Sequence, residues 1–227
     1  MIGVFDSGAG GLTAIAEMRK INPTVDICFF ADYANAPYGT KSERDLIRLV
    51  KNDISSLRAF GAERILMACC TASTVHRYLP ENIRTFTLPI ITPAVKEAAR
   101  VTKCGKIGVI ATMATARSGR FSKELLRYDG VKDVTELPTQ ELVSLVEGGA
   151  SDRHISKHDR CRLYSILKPL KKSGIDTLIL GCTHFSHLER EIGLYLPGVR
   201  VVNASREGAK EIMKYASPYG KGKTIYL

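Results

Sequence analysis

No stretch of this 227-residue chain is apolar for long enough to suggest a membrane span. Runs such as Ile107–Ala111 and Leu178–Leu180 stop far short of the roughly 20 residues that a bilayer crossing needs. The opening MIGVFDSG has no basic region and no cleavage site, so no signal peptide and no membrane partner are expected, and the expected location is cytoplasmic. The six cysteines, Cys28, Cys69, Cys70, Cys104, Cys161 and Cys182, include no CxxC pair. That lack removes the usual structural zinc spacing, so no metal is expected, and in a cytoplasmic chain the cysteines are expected to be free thiols. The glycine-rich turn at 6–11 is not spaced as GxGxxG and no GK[ST] follows it, which leaves a dinucleotide or P-loop site there weakly supported. Basic clusters at Arg160–Arg162, Lys168–Lys172 and Lys221–Lys223 lack the interleaved aromatic residues that would stack on bases. The net charge of +10 therefore reads as a dispersed, solvated basic surface, and nucleic acid is not the expected partner.

What is present is an ordinary globular composition, 44% apolar and 25% charged, with enough length to bury a core without disulfides or metals. Short apolar runs alternate with amphipathic stretches, the pattern of an α/β chain with largely parallel strands. Strands are expected at Ile2–Phe5, Ile27–Ala31, Ile65–Ala68, Lys106–Ala111, Thr177–Gly181 and Val199–Asn203. Ser42, with Asp45 three residues on, should cap a helix whose apolar stripe is Leu46, Val50, Ile54 and Leu57, and Gly61 should end it. Further helices are expected after Pro93, over Ser118–Arg127, over Gln140–Glu147 closed by Gly148-Gly149, around Leu163–Leu170 with a kink or restart at Pro169, and from Ser205 to about Tyr215. A short internal echo links Ile2-Gly3-Val4 with Ile107-Gly108-Val109, and Leu66-Met67-Ala68-Cys69 with Ile179-Leu180-Gly181-Cys182. Two similar halves would produce it, and so would chance matching of apolar strands.

Cys69 and Cys182 each follow an apolar strand and precede small hydroxyl residues. Ligands of open α/β sheets gather at such strand ends. Buried structural cysteine is the commoner fate of a free thiol. A helix starting at either residue would instead bring its pKa down from about 8.5 towards neutrality, where a thiol can take or give a proton. The turn Asp6-Ser7-Gly8-Ala9-Gly10-Gly11 can present amides to an anion, with Asp6 in an orienting or acid–base role, or Asp6 can be structural. Pro37-Tyr38-Gly39-Thr40 is a surface turn that could offer amides and the Tyr38 hydroxyl to a ligand. His184 could assist Cys182; Asp32 and Glu147 are loop-adjacent carboxylates whose roles periodicity leaves open.

In chain order, DSGAGGLT (6–13), APYGTKS (36–42), ACCTAS (68–73), Leu145-Val146-Glu147-Gly148 and LGCTH (180–184) resemble the glutamate racemases of the aspartate/glutamate racemase family. The resemblance runs through nearly the whole chain. It implies an α/β protein of two doubly wound, pseudo-symmetric domains with mostly parallel sheets and the active site between them, here 1–93 plus 206–227 and 94–205. It implies an isomerase that interconverts L- and D-glutamate without a cofactor, for the supply of peptidoglycan precursors, with a small acidic amino acid as its partner; a homodimer is among the assemblies it allows. Residue by residue, Cys69 and Cys182 fall on the two catalytic cysteines. Asp6, Ser7, Pro37, Tyr38, Gly39, Cys70, Thr71, Thr183 and His184 fall on substrate-contacting or catalysis-supporting positions, with Asp6 and His184 aiding proton transfer and Asp32 and Glu147 as supporting acids. Inverting Cα needs a base on one face and an acid on the other, and charge stabilisation by preorganised amides in a site shielded from water. The chain departs from the family at Cys70, where the motif Cys-Asn-Thr has Asn. Aspartate or another acidic amino acid, or binding without turnover, is the alternative that this difference raises. Leu137-Pro138 and Asn203 also differ, and the 118–147 region is shorter.

Overall fold

A computed structural model describes all 227 residues. Nine strands run in chain order: β1 (Ile2–Asp6), β2 (Ile27–Ala31), β3 (Arg64–Met67), β4 (Thr87–Pro89), β5 (Lys106–Ala111), β6 (Asp133–Pro138), β7 (Thr177–Gly181), β8 (Arg200–Asn203) and β9 (Thr224–Tyr226). The chain divides into two compact units, Met1–Pro93 with Ser205–Leu227, and Ala94–Ala204. No helix is long and apolar enough to cross a membrane.

The first unit holds a five-stranded sheet in the order β4-β3-β1-β2-β9 with every pair parallel. The second holds a four-stranded sheet in the order β6-β5-β7-β8, again all parallel. Both are wound alike. The chain leaves a central strand (β1 or β5), adds a neighbour on one side (β2 or β6), then crosses to the other side for the next strand (β3 or β7). The direction of winding thus reverses between β1 and β3 and between β5 and β7. In an open α/β sheet the carboxyl ends at such a reversal leave a crevice where ligands bind.

The internal echo has the same basis. Gly3 pairs with Ile65 and Gly108 with Leu178. A Cβ on Gly3 would meet Ala62 Cβ at 2.8 Å, Ile65 and Leu57; one on Gly108 would meet Ile175 at 2.6 Å, Leu178 and Leu170. In each unit the three neighbours are a residue of the preceding helix, one of the following loop and one of the next strand. Glycine lets that helix lie close against the central strand. Cys69 stands four residues beyond Ile65 and Cys182 four beyond Leu178, so the two cysteines occupy equivalent positions in the two windings.

The expected helix ends are largely found. The Ser42 side chain accepts from the Asp45 N–H and its hydroxyl donates to the Asp45 carboxylate, opening the helix Glu43–Ala59, and Gly61 follows it at φ +86°. Gln140–Glu147 closes on Gly148 and Gly149, the latter at φ +99°. Other expectations need correction. The helix near Pro93 is Ile91–Val101, with the proline inside its first turn, where no N–H is required. Ser118–Arg127 is not one helix: Gly119 at φ +58° separates Met113–Ser118 from Arg120–Leu125. Lys157–Ser173 continues through Pro169, which, like Ser165 one turn before it, is exposed, so the carbonyl left without an amide partner can be hydrated. The last helix is Ala204–Ile212, followed by a single tighter turn to Tyr215.

Candidate active site

In the first unit β1 ends at Asp6 and β3 leads into Cys69 on the adjacent strand. The Ser7 hydroxyl lies 3.5 Å from Cys69 Sγ and 3.4 Å from Asp6 Oδ1. The Gly8 N–H donates to the same Asp6 oxygen at 3.0 Å, which fixes the carboxylate within its own turn. Cys69 precedes the short helix Cys70–Ser73, and its sulfur accepts from the Ala72 N–H at 3.5 Å. Ser73 ties this helix to β3 by donating to the Met67 carbonyl. Cys70 and Thr71 are buried in the same turn. The turn Tyr38–Thr40 packs against this helix, so Gly39 lies near the thiol's own element.

Burial pushes the Cys69 thiol up to about 11, the Asp6 carboxylate adds to the rise, and the hydrogen bonds from Ala72 and Ser7 act against it. This corrects the expectation of a thiol brought towards neutrality. A helix of four residues carries little macrodipole, and the cost of a desolvated thiolate exceeds it. Cys69 is accordingly held as a thiol at neutral pH.

The Tyr38 hydroxyl does not face solvent as expected. Tyr38 is 1% exposed, and its oxygen lies 2.7 Å from Asp32 Oδ2 and 2.6 Å from Asp53 Oδ2. The ring fills the core beneath the turn, where Pro37 and Thr40 are exposed and Gly39 is half-buried. Asp32 receives Asn35 Nδ2 on both oxygens, and its own N–H donates to the Asp6 carbonyl, which ties the β2 end to the Asp6 turn. Asp53 was not anticipated. Its signal was a lone carboxylate within the apolar stripe of the helix Glu43–Ala59.

In the second unit Cys182 follows β7 and precedes the tight 3-10 segment Thr183–Leu188. Its sulfur lies 3.6 Å from His184 Nδ1, and His184 Nε2 lies 3.6 Å from Glu147 Oε1. Glu147 is exposed at the end of Gln140–Glu147, which packs against Thr183–Leu188. Thr183 is buried beside the thiol. Asp152 was also unforeseen: its carboxylate accepts from the N–H groups of Arg190 and Glu191, fixing the helix Glu189–Tyr195 that follows the His184 segment. Asn203, at the end of β8, donates to Glu189 and accepts from Ser186, so it anchors the same segment.

The two thiols thus sit at equivalent strand ends with different companions. Cys69 has a hydroxyl, a carboxylate and an amide. Cys182 has an imidazole backed by a carboxylate, a pairing that can accept the thiol proton. No group of three or more His, Cys, Asp or Glu is placed to hold a metal ion.

Residues 12–212 match the family model described as Asp/Glu/Hydantoin racemase. The chain belongs to that family. It is 39% identical over 224 residues to a glutamate racemase of Aquifex aeolicus, covering 97% of this chain and 85% of the relative. It is 41% identical over 198 residues to that of Deinococcus radiodurans, covering 84% and 66%. Among solved structures, the glutamate racemase isoform RacE1 of Bacillus anthracis matches with a TM-score of 0.88 and 31% identity, over 100% of this chain and 86% of that one. Glutamate racemase from Francisella tularensis, solved with D-glutamate, matches with a TM-score of 0.86 and 27% identity, over 99% and 86%. The family's two wound α/β units are those of this chain, and the family's chemistry makes it a racemase, an isomerase.

Proposed function

We propose that the chain interconverts L- and D-glutamate by two-thiol proton transfer at Cα. The observation that carries this reading is the placement of Cys69 and Cys182 at equivalent reversal points of two like-wound sheets, each with its own proton-handling companions. Relatives named as glutamate racemases at 39% and 41% identity support glutamate as the substrate. The net charge of +10 favours a dicarboxylic amino acid.

In one direction His184 takes the Cys182 proton, and the thiolate removes the Cα proton. The C–H electrons stay on carbon, delocalised into the carboxylate. Cys69, held as a thiol, delivers a proton to the opposite face and becomes a thiolate. The reverse direction exchanges the roles. Ser7 and the Ala72 amide stabilise the Cys69 thiolate once formed, and the Asp6 carboxylate makes it a stronger base. Glu147 stabilises the imidazolium. Amides at Gly39 and in the Cys70–Ser73 turn are suited to the substrate carboxylates. The role assigned is the supply of D-glutamate for peptidoglycan precursors in the cytoplasm.

Incubation with L-glutamate in D₂O tests the reading: deuterium should enter Cα as the D-enantiomer accumulates. Cys69→Ser and Cys182→Ser should each abolish racemisation. Full turnover in either variant, or no exchange with wild-type protein, would overturn the proposal.

A further inference from the structure

The helix Glu43–Ala59 turns Leu46, Leu49, Val50, Ile54 and Leu57 into the core and, with them, one carboxylate, Asp53, which is 2% exposed. A charge in such a place is costly unless it is paired. Its hydrogen-bond partner is the Tyr38 hydroxyl, which also contacts Asp32, at 2.6 and 2.7 Å respectively. A phenol carries one proton. Asp32 is the accepting end, because it already takes Asn35 Nδ2 on both oxygens. The phenol proton therefore points to Asp32. The contact to Asp53 is a hydrogen bond only if Asp53 supplies a second proton; otherwise two oxygens face each other with no hydrogen between them.

We propose that Asp53 is a protonated positioning residue: its carboxylic acid donates to Tyr38 Oη, Tyr38 donates to Asp32, and this chain of hydrogen bonds holds the 32–40 segment in place beside the Cys69 helix. The proposal rests on reading Pro37–Gly39 as part of the amino-acid site. The Tyr38–Thr40 turn packs on Cys70–Ser73, so the setting of the segment governs both the Gly39 amide and the thiol's surroundings. Loss of the proton would remove one hydrogen bond and leave two like charges on a single hydroxyl. The segment would then loosen.

The ionisable groups facing Asp53 are Tyr38 from the turn and Asp32 from the end of β2. The hydrophobic cluster to which Tyr38 belongs also holds the Cys28 and Cys69 thiols. Burial, together with the Asp32 charge, pushes Asp53 up to about 7, against the opposing hydrogen bond from Tyr38. Burial and the two carboxylates drive Tyr38 far above its ordinary value, so it keeps its proton.

The test uses the full chain and its Asp53→Asn variant, in which an amide replaces the acid as donor. Carbon-13 titration of the Asp53 carboxyl, assigned by its absence in the variant, should give a midpoint near 7. Hydrogen-exchange protection of 32–40 should fall by about threefold or more as the wild type passes through that midpoint, and stay level in the variant. KM for glutamate should rise over the same range in the wild type alone, with kcat changing less. An ordinary carboxylate midpoint, or an equal loss of protection in Asp53→Asn, would overturn the proposal. If the midpoint and the protection behave as expected but KM has the same pH dependence in both proteins, the positioning role falls. A protein that does not turn over glutamate would sink the racemase reading, and titration and exchange would still decide the hydrogen-bond chain.

Discussion

Ser7 Oγ lies 3.5 Å from Cys69 Sγ, joining the carboxyl ends of two adjacent parallel strands. The contact lowers the thiol's pKa, because a hydroxyl donor stabilises the thiolate more than the thiol. Ser7→Ala should raise that pKa further and reduce kcat/KM by about tenfold, the order expected for one hydrogen bond to a charged sulfur. Alkylation of the Cys69 peptide by iodoacetamide, followed by mass spectrometry across pH, reads the thiolate directly. An unchanged alkylation profile would count against the contact.

Asp6→Asn should act in the opposite sense on the same readout. The carboxylate raises the Cys69 pKa, second only to burial, so its neutralisation favours the thiolate. Cys69 should alkylate several-fold faster near pH 8, by about threefold or more. Racemisation should nevertheless fall, since the thiolate becomes a weaker base. Slower alkylation in Asp6→Asn would mean that the carboxylate activates the thiol by another route.

How far these features were legible in the sequence depends on burial. β1, β2, β3, β5 and β7 are largely buried, and each reads as an apolar run. β6 (DVTELP) is an edge strand of partly exposed residues, and β4 and β9 are three residues each, so none carries a hydrophobic signature. Cys69, Ser7, Cys182 and His184 could be named because their motifs are contiguous. The inward direction of the Tyr38 hydroxyl is not legible, because a surface-turn sequence does not say which way an aromatic ring points. Its partners Asp32 and Asp53 lie 6 and 15 residues away, at separations no local pattern joins. Gly181 shows the same limit. A Cβ there would meet the Ile110 carbonyl at 2.8 Å and the Phe121 ring at 2.9 Å, whereas Ala68 at the equivalent position carries its methyl group.

His184 should matter far more than Glu147. His184 is mostly buried and contacts the Cys182 sulfur, whereas the Glu147 side chain is 64% exposed and its interaction is screened by solvent. His184→Ala should reduce kcat/KM by about a hundredfold, the scale of one general acid–base group. Glu147→Gln should cost only about two- to fivefold, and less at high salt. In each variant kcat/KM must fall equally for L- and D-glutamate, because the equilibrium constant between enantiomers is unity. Unequal loss would show that the two assays do not follow one reversible reaction. A His184→Ala enzyme with wild-type turnover would remove the imidazole from the proton path.

Asp53 also makes a stability prediction, with a defined sign. Its pKa is raised from the ordinary 3.8 to about 7 in the folded protein, with burial as the chief cause. Between those values the folded protein keeps a proton that the unfolded chain has released, so unfolding releases a proton and stability falls as pH rises. The contribution is fully present below the unfolded value and is lost as pH climbs through the folded one. Asp53→Asn has no such proton to lose. Urea denaturation from about pH 4 to pH 8 should show the wild type losing stability relative to Asp53→Asn by on the order of a few kcal/mol. The Asn variant should be the more stable of the two at the upper end, provided its amide donates to Tyr38 as the acid does. Parallel stability curves would show that Asp53 is ionised throughout, with Tyr38 bonded to one carboxylate at a time.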